Sequence, residues 1–227
     1  MRVTTTACTQ FNHPEFVLDL ANEALLLHAN VLLRSIESLV AKGEVLRPGE
    51  TFQFGWLTLQ IRQFDKEFLT LYEPDMKSFP IEYVPGANVA IQHMMMQLFA
   101  LDSFGIQRAH MLVPNMHQTV MTCDRFATAP VFFMTRNEPI NHTGDTGWYM
   151  GCMAPDHDHD TRENLELTTL YDAFLKRNDI YQWLIFPTEA KIFLNRNQAP
   201  KVWIGEEKFP LIAESFVDEY FKELGGK

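Results

Sequence analysis

The chain is poor in cysteine. Cys8, Cys123 and Cys152 stand far apart, and no CxxC pair occurs. An odd, scattered set excludes a disulfide scaffold and fits a reducing compartment. Positive charge is also scarce: 19 Lys and Arg face 29 Asp and Glu, a net charge of −10. That balance argues against nucleic acid or an anionic membrane as partner and suits a basic protein. The apolar stretches 24–27 and 31–33 are interrupted by His28 and Asn30, so no segment reads as a membrane span. The opening MRVTTTACTQ lacks the apolar run of a secretion signal. A soluble, cytoplasmic protein is expected. GxSxG, HExxH and phosphate-cradling glycine loops are missing, as are internal repeats and low-complexity tracts.

Core material is abundant, with Phe alone present 18 times in 227 residues. A chain of this length buries a core without staples. A first strand is expected over 3–11. The stretch 12–15 reads as a helix start with a capping Asn12, an early Pro14 and Glu15; alternatively 16–20 is a strand and the helix begins at Asn22. In both readings 23–42 is helical, because Leu25, Ala29, Leu32, Ile36 and Val40 share a face, and Gly43 stops it. Alternation over 51–63 shifts parity at Gly55-Trp56, which suggests a bulge, and 68–72 returns as the second strand of a hairpin. A helix over 87–104 follows, with Met94, Met95 and Met96 as core filler and His93 as a structural residue.

Strands are expected over 117–126, 131–136 and 147–153, and a helix over 167–176 capped at Thr168 or Thr169. Loops are expected at 137–139 and 142–145. A hairpin over 188–204 turns at 195–198, with Pro200 at an edge. An amphipathic helix over 211–224 ends the chain, with Ile212, Phe216 and Tyr220 four apart. This order gives an α+β fold of antiparallel hairpins with packed helices, in two subdomains. The division is expected in the connection 105–115, giving an N-terminal subdomain over 1–114 and a C-terminal one over 115–227.

The least ordinary stretch is the run Asp156, His157, Asp158, His159 and Asp160 after Pro155. Two histidines two apart converge on a turn, and with Asp156 they would offer a metal three donors. The metallo-β-lactamase pattern His-x-His-x-Asp-His fails here, because Thr161 stands at the last His. The ordinary reading is a loop whose Asp side chains hold backbone N–H groups. On it no metal or other cofactor is expected. Cys152 on an apolar strand reads as buried rather than as a nucleophile paired with His157. Trp56 and Trp148 each follow a glycine in an apolar strand, and both are expected in the core; exposed aromatics forming a recognition surface are the rival reading.

The stretch TGWYMGCMAPDHDHDTRENLELTTLYDAF resembles a bacterial family of immunity proteins from polymorphic-toxin systems, formerly a domain of unknown function. Asp145-Thr146-Gly147-Trp148 stands for that family's Asp-Ser-Gly-Trp. Gly151-Cys152, Asp156 to His159, Asn164-Leu165 and Thr169-Leu170-Tyr171 stand for its later signatures. Asp160-Thr161-Arg162 departs from the Asn-Asp-Pro of many relatives. RPGETFQFGW and LYEPDMKSFPIEYVPG are similar to the N-terminal hairpin of longer members, so the resemblance spans roughly 45–205. It implies a non-enzymatic protein that neutralises a cognate toxin in the cytoplasm of the producer. The motif and candidate interaction residues are then Trp56, Trp148, Asp156, His157, Asp158, His159 and Tyr171. A metal-dependent hydrolase built on the Asp-His loop is the alternative.

Overall fold

The computed structural model describes residues 1–141, 144–196 and 198–225. The loop expected at 142–145 and the turn expected at 195–198 lie partly outside them. The fold class is α+β, as the patterning indicated. The chain divides into two compact units, Met1–Met95 and Met96–Lys227. The division falls inside helix α2 (Asn88–Ser103) rather than in the 105–115 connection. The helix's first part bonds within the first unit, where His93 meets Trp56, and its second part within the second, where Phe99 meets Phe216.

The first unit holds a sheet in the order β1 (Arg2–Thr4), β2 (Glu15–Asp19), β5 (Phe68–Pro74), β4 (Leu57–Gln63), β3 (Thr51–Phe54), with β6 (Tyr83–Pro85) also on β5. The 12–15 stretch does not start a helix. Asn12 closes a 3-10 turn over Cys8–Phe11 in the left-handed region at φ 57, which an asparagine tolerates. Phe16, Val17 and Leu18 are all buried, which fits an interior strand. Gly55-Trp56 is no bulge: Phe54 pairs with Leu57, so these two residues turn the hairpin, and Gly55 takes φ 57. The parity shift was the chain reversing.

Helix α1 (Leu26–Ala41) buries Ala29, Leu32, Leu33, Ile36 and Val40, the expected face. Gly43 ends it at φ 94, and the Glu44 N–H bonds back to the Leu39 carbonyl. Contrary to expectation, the 19-residue helical stretch Glu23–Ala41 is long and apolar enough to cross a membrane by length and composition. His28 and Asn30 do not break it: Asn30 is exposed, and His28 sits half-buried at the flank of the buried face.

Trp56 is fully buried, and its Nε1–H donates to His93 Nδ1 at 3.2 Å. Nδ1 therefore accepts, and protonation there would break the bond. Burial holds the His93 imidazole down at about 4. The unfolded chain takes up this proton near pH 6.5, so stability falls as pH drops from that value toward 4, by roughly 3 kcal/mol for this group. Glu73 works in the opposite sense, because burial raises its carboxyl. Comparison with His93→Gln isolates the histidine: unfolding midpoints should fall more steeply for the natural chain between pH 6.5 and 4. Parallel profiles would contradict this assignment.

The second unit holds a seven-stranded sheet in the order β10 (Leu165–Thr169), β7 (Thr119–Cys123), β9 (Asp145–Cys152), β8 (Val131–Arg136), β11 (Ala190–Asn195), β12 (Gln198–Ile204), β13 (Glu207–Phe209). The β7–β9 pair is parallel, as is β2–β5 in the first unit. The helix expected over 167–176 begins later, as α3 (Leu170–Lys176), because Leu165–Thr169 pairs with β7. Thr169 is its cap: Oγ1 accepts from the Asp172 N–H at 3.1 Å. Pro200 sits on an interior strand, but β13 covers only Val202 to Ile204, so its missing N–H breaks no bond on that side. Helix α4 (Phe216–Gly225) starts five residues late and buries Val217; Ile212 and Tyr220 stay 47% and 45% exposed.

Candidate functional site

The pattern of β9 sets the site. Alternation sends Trp148 and Met150 into the core, while Tyr149 and Gly151 face the other side of the sheet. Met121 lies beside Tyr149 across the parallel pair, so Cys123, two residues on, ends β7 near Gly151 on that same side. The chain then leaves Cys152 as the loop 153–164 and folds back.

The aspartates hold this loop. The Asp158 carboxylate accepts from the Asp160 N–H at 2.8 Å and the Thr161 hydroxyl at 2.6 Å. The Asn164 side-chain amide donates to the Asp158 carbonyl, and the Asn164 carbonyl accepts from the Asp124 N–H. Asp156 faces out and pairs with Arg125 at 3.0 Å. The Arg125 hydrogen bond holds the Asp156 carboxyl below its usual range, and the Thr161 hydroxyl does the same for Asp158.

The histidines turn inward. The His157 side chain is only 2% exposed. Its ring stands edge-on to His159, with centroids 4.6 Å apart. Its Nε2 lies 3.3 Å from Asp124 Oδ1 but outside hydrogen-bond geometry, so this buried nitrogen has no hydrogen-bond partner among the described residues. His159 Nδ1 meets the Tyr149 hydroxyl at 2.5 Å, and its Nε2 faces Cys152 Sγ at 3.8 Å. The Cys152 N–H donates to Cys123 Sγ at 3.2 Å. Donor atoms of Cys123, His157 and His159 all lie within 4.8 Å of one another. Burial raises the Cys123 thiol and pushes the Tyr149 phenol up to about 12.

Gly151 makes this approach possible. A Cβ there would lie 2.7 Å from the Phe133 ring and 3.0 Å from His159 Cε1. No L side chain fits without moving both, which is a physical reason for Gly before Cys152.

Of the residues singled out from sequence, the structure brings His157 and His159 together and leaves Asp156 and Asp158 outside the cluster. Trp148 and Tyr171 are buried in the second unit, and Trp56 is buried in the first. Cys123 and Tyr149 belong to the cluster and were not foreseen in it. The only local signal for Cys123 was a cysteine near a strand end, since its neighbours come from a parallel pairing.

The same side of the sheet carries a row of half-buried rings. Tyr149, Phe133, Phe193 and Trp203 follow one another across β9, β8, β11 and β12, with successive centroids 5.6, 6.3 and 5.4 Å apart. Phe193 and Trp203 line a shallow groove together with Val131, Met153 and Lys201. No protein-family model, curated protein or solved structure matches the chain.

Proposed function

We propose that this is a non-enzymatic binding protein of the immunity type, which occludes a cognate bacterial toxin domain in the cytoplasm of the producing cell. The observation that carries the reading is the aromatic row Tyr149, Phe133, Phe193 and Trp203, ordered across four strands and left half-exposed. Rigid aromatic rings supply large contact area at little entropic cost and are enriched at binding hot spots. The residues that resemble the immunity-family signatures support it in another way. Trp148, Gly151, His157 and Tyr171 build the interior of this unit, so they specify a scaffold and leave recognition to its surface. An excess of ten negative charges suits a basic toxin and speeds encounter by steering.

A neutraliser that survives dilution in a cell needs nanomolar affinity, about −12 kcal/mol. An interface of about 1,200–2,000 Å² is ordinary for that. The test is co-expression with the effector gene beside this one. Cells should die with the effector alone and grow when this chain is present. Failure to rescue, together with metal-dependent hydrolysis lost in His157→Ala and His159→Ala, would favour the hydrolase instead.

A further inference from the structure

We propose that Cys123, Cys152, His157 and His159 form a structural zinc site that pins the 153–164 loop to the ends of β7 and β9. Zinc in a tetrahedral two-sulfur, two-nitrogen set has bonds of about 2.3 Å to sulfur and 2.0–2.1 Å to nitrogen, which places donor atoms roughly 3.3–3.8 Å apart. Cys152 Sγ and His159 Nε2 stand at 3.8 Å, already in range. Donor atoms of Cys123, His157 and His159 lie within 4.8 Å of one another and would close on an ion by side-chain motions of about 1 Å, with Cys152 joining this set of three from beside His159.

Two further observations point to a ligand. Among the described residues the buried His157 Nε2 has no hydrogen-bond partner; the Asp124 carboxylate lies 3.3 Å away outside hydrogen-bond geometry, so a neutral ring there leaves this nitrogen unsatisfied unless something binds. The supporting bonds are also those a zinc site uses. The Cys152 N–H points at Cys123 Sγ, as a backbone donor does at a metal-bound sulfur. The Tyr149 hydroxyl on Nδ1 orients His159 and leaves Nε2 to face the sulfurs. Thiolates with imidazoles select a borderline-soft ion over magnesium or calcium, and a tetrahedral S₂N₂ set is zinc's. Four protein donors leave no open position, so such an ion holds the fold and does not activate water. The inference stands apart from the binding function and survives if the partner is not a toxin.

The test uses the full chain, stripped of metal by a chelator under a thiol-free reductant. Cobalt(II) is titrated in first, then zinc(II). One equivalent of cobalt should give the intense visible bands of tetrahedral cobalt and a near-ultraviolet thiolate charge-transfer band, both bleached by one equivalent of zinc. Cys123→Ser should remove much of the charge-transfer band. Tyr149→Phe should keep the spectrum and weaken zinc about 10–100-fold, as loss of an orienting partner does. Asp156→Asn should leave zinc uptake unchanged. No uptake at micromolar metal, a weak octahedral cobalt spectrum, a Cys123–Cys152 disulfide in the freshly purified protein, or loss of uptake in Asp156→Asn would each overturn the assignment.

Discussion

Arg136→Met should cost the second unit on the order of 3–5 kcal/mol, because it leaves several buried carbonyls without a donor at about 1–3 kcal/mol each. Arg136 is 2% exposed at the end of β8. Its Nε donates to the Thr146 carbonyl at 3.0 Å. The two N–H groups of its Nη1 are shared among the carbonyls of Leu112, Leu184 and Phe186. The guanidinium also lies over the Trp148 ring at 5.2 Å. One side chain thus ties together three segments that share no regular hydrogen-bond ladder. Burial pushes its pKa down to about 9, still above neutral pH, so it folds as a cation. Methionine fills the volume but takes the guanidinium donors from the Thr146, Leu112 and Phe186 carbonyls, while the Leu184 carbonyl keeps the Trp148 indole N–H. Lysine restores a charge without the planar fork and should recover only part of the loss. Denaturant unfolding followed by tryptophan fluorescence measures this. A loss under about 1 kcal/mol would mean that water satisfies the carbonyls.

Trp148→Ala and Trp56→Ala should each cost about 3–5 kcal/mol. Both rings are buried, and each indole N–H is used: Trp148 on the Leu184 carbonyl at 3.1 Å, Trp56 on His93. Trp148→Phe keeps most of the packing and loses the bond, so it should cost nearer 1 kcal/mol. Because Trp148 and Arg136 touch, their double variant should cost less than the two singles added. Aqueous iodide should quench only a minor part of the native fluorescence. That part belongs to half-exposed Trp203, and Trp203→Phe should abolish it. Trp183 is buried too, so quenching that persists in Trp203→Phe would place Trp56, Trp148 or Trp183 at the surface and contradict the packing described.

Helices α1 and α2, the β4–β5 hairpin and the two core tryptophans were legible in the sequence because each rests on a local period or a local turn. The loop-organising role of Asp158 was legible too, since its partners lie within six residues. The rest depends on distant pairing. Leu165–Thr169 contains Leu, Glu and Thr in an order that permits a helix, and only β7 makes it a strand. Arg136 reads as the solvent end of an apolar strand, and nothing local shows carbonyls from 112 and 184–186 converging on it. Cys123 joins the histidine cluster through the parallel β7–β9 pair, a contact between residues 29 apart in sequence. Asp156 looked like a third donor because it adjoins His157, yet Arg125 takes it outward.

On the proposed function, the aromatic face of the second unit binds a toxin domain. Titration calorimetry with a purified candidate toxin domain tests that most directly. One-to-one binding at nanomolar Kd or tighter is expected. Phe193→Ala and Trp203→Ala, folded as judged by unchanged unfolding midpoints, should each lose at least about 2 kcal/mol of affinity, roughly thirtyfold. No binding at micromolar concentrations, or full affinity retained in both variants, would contradict it.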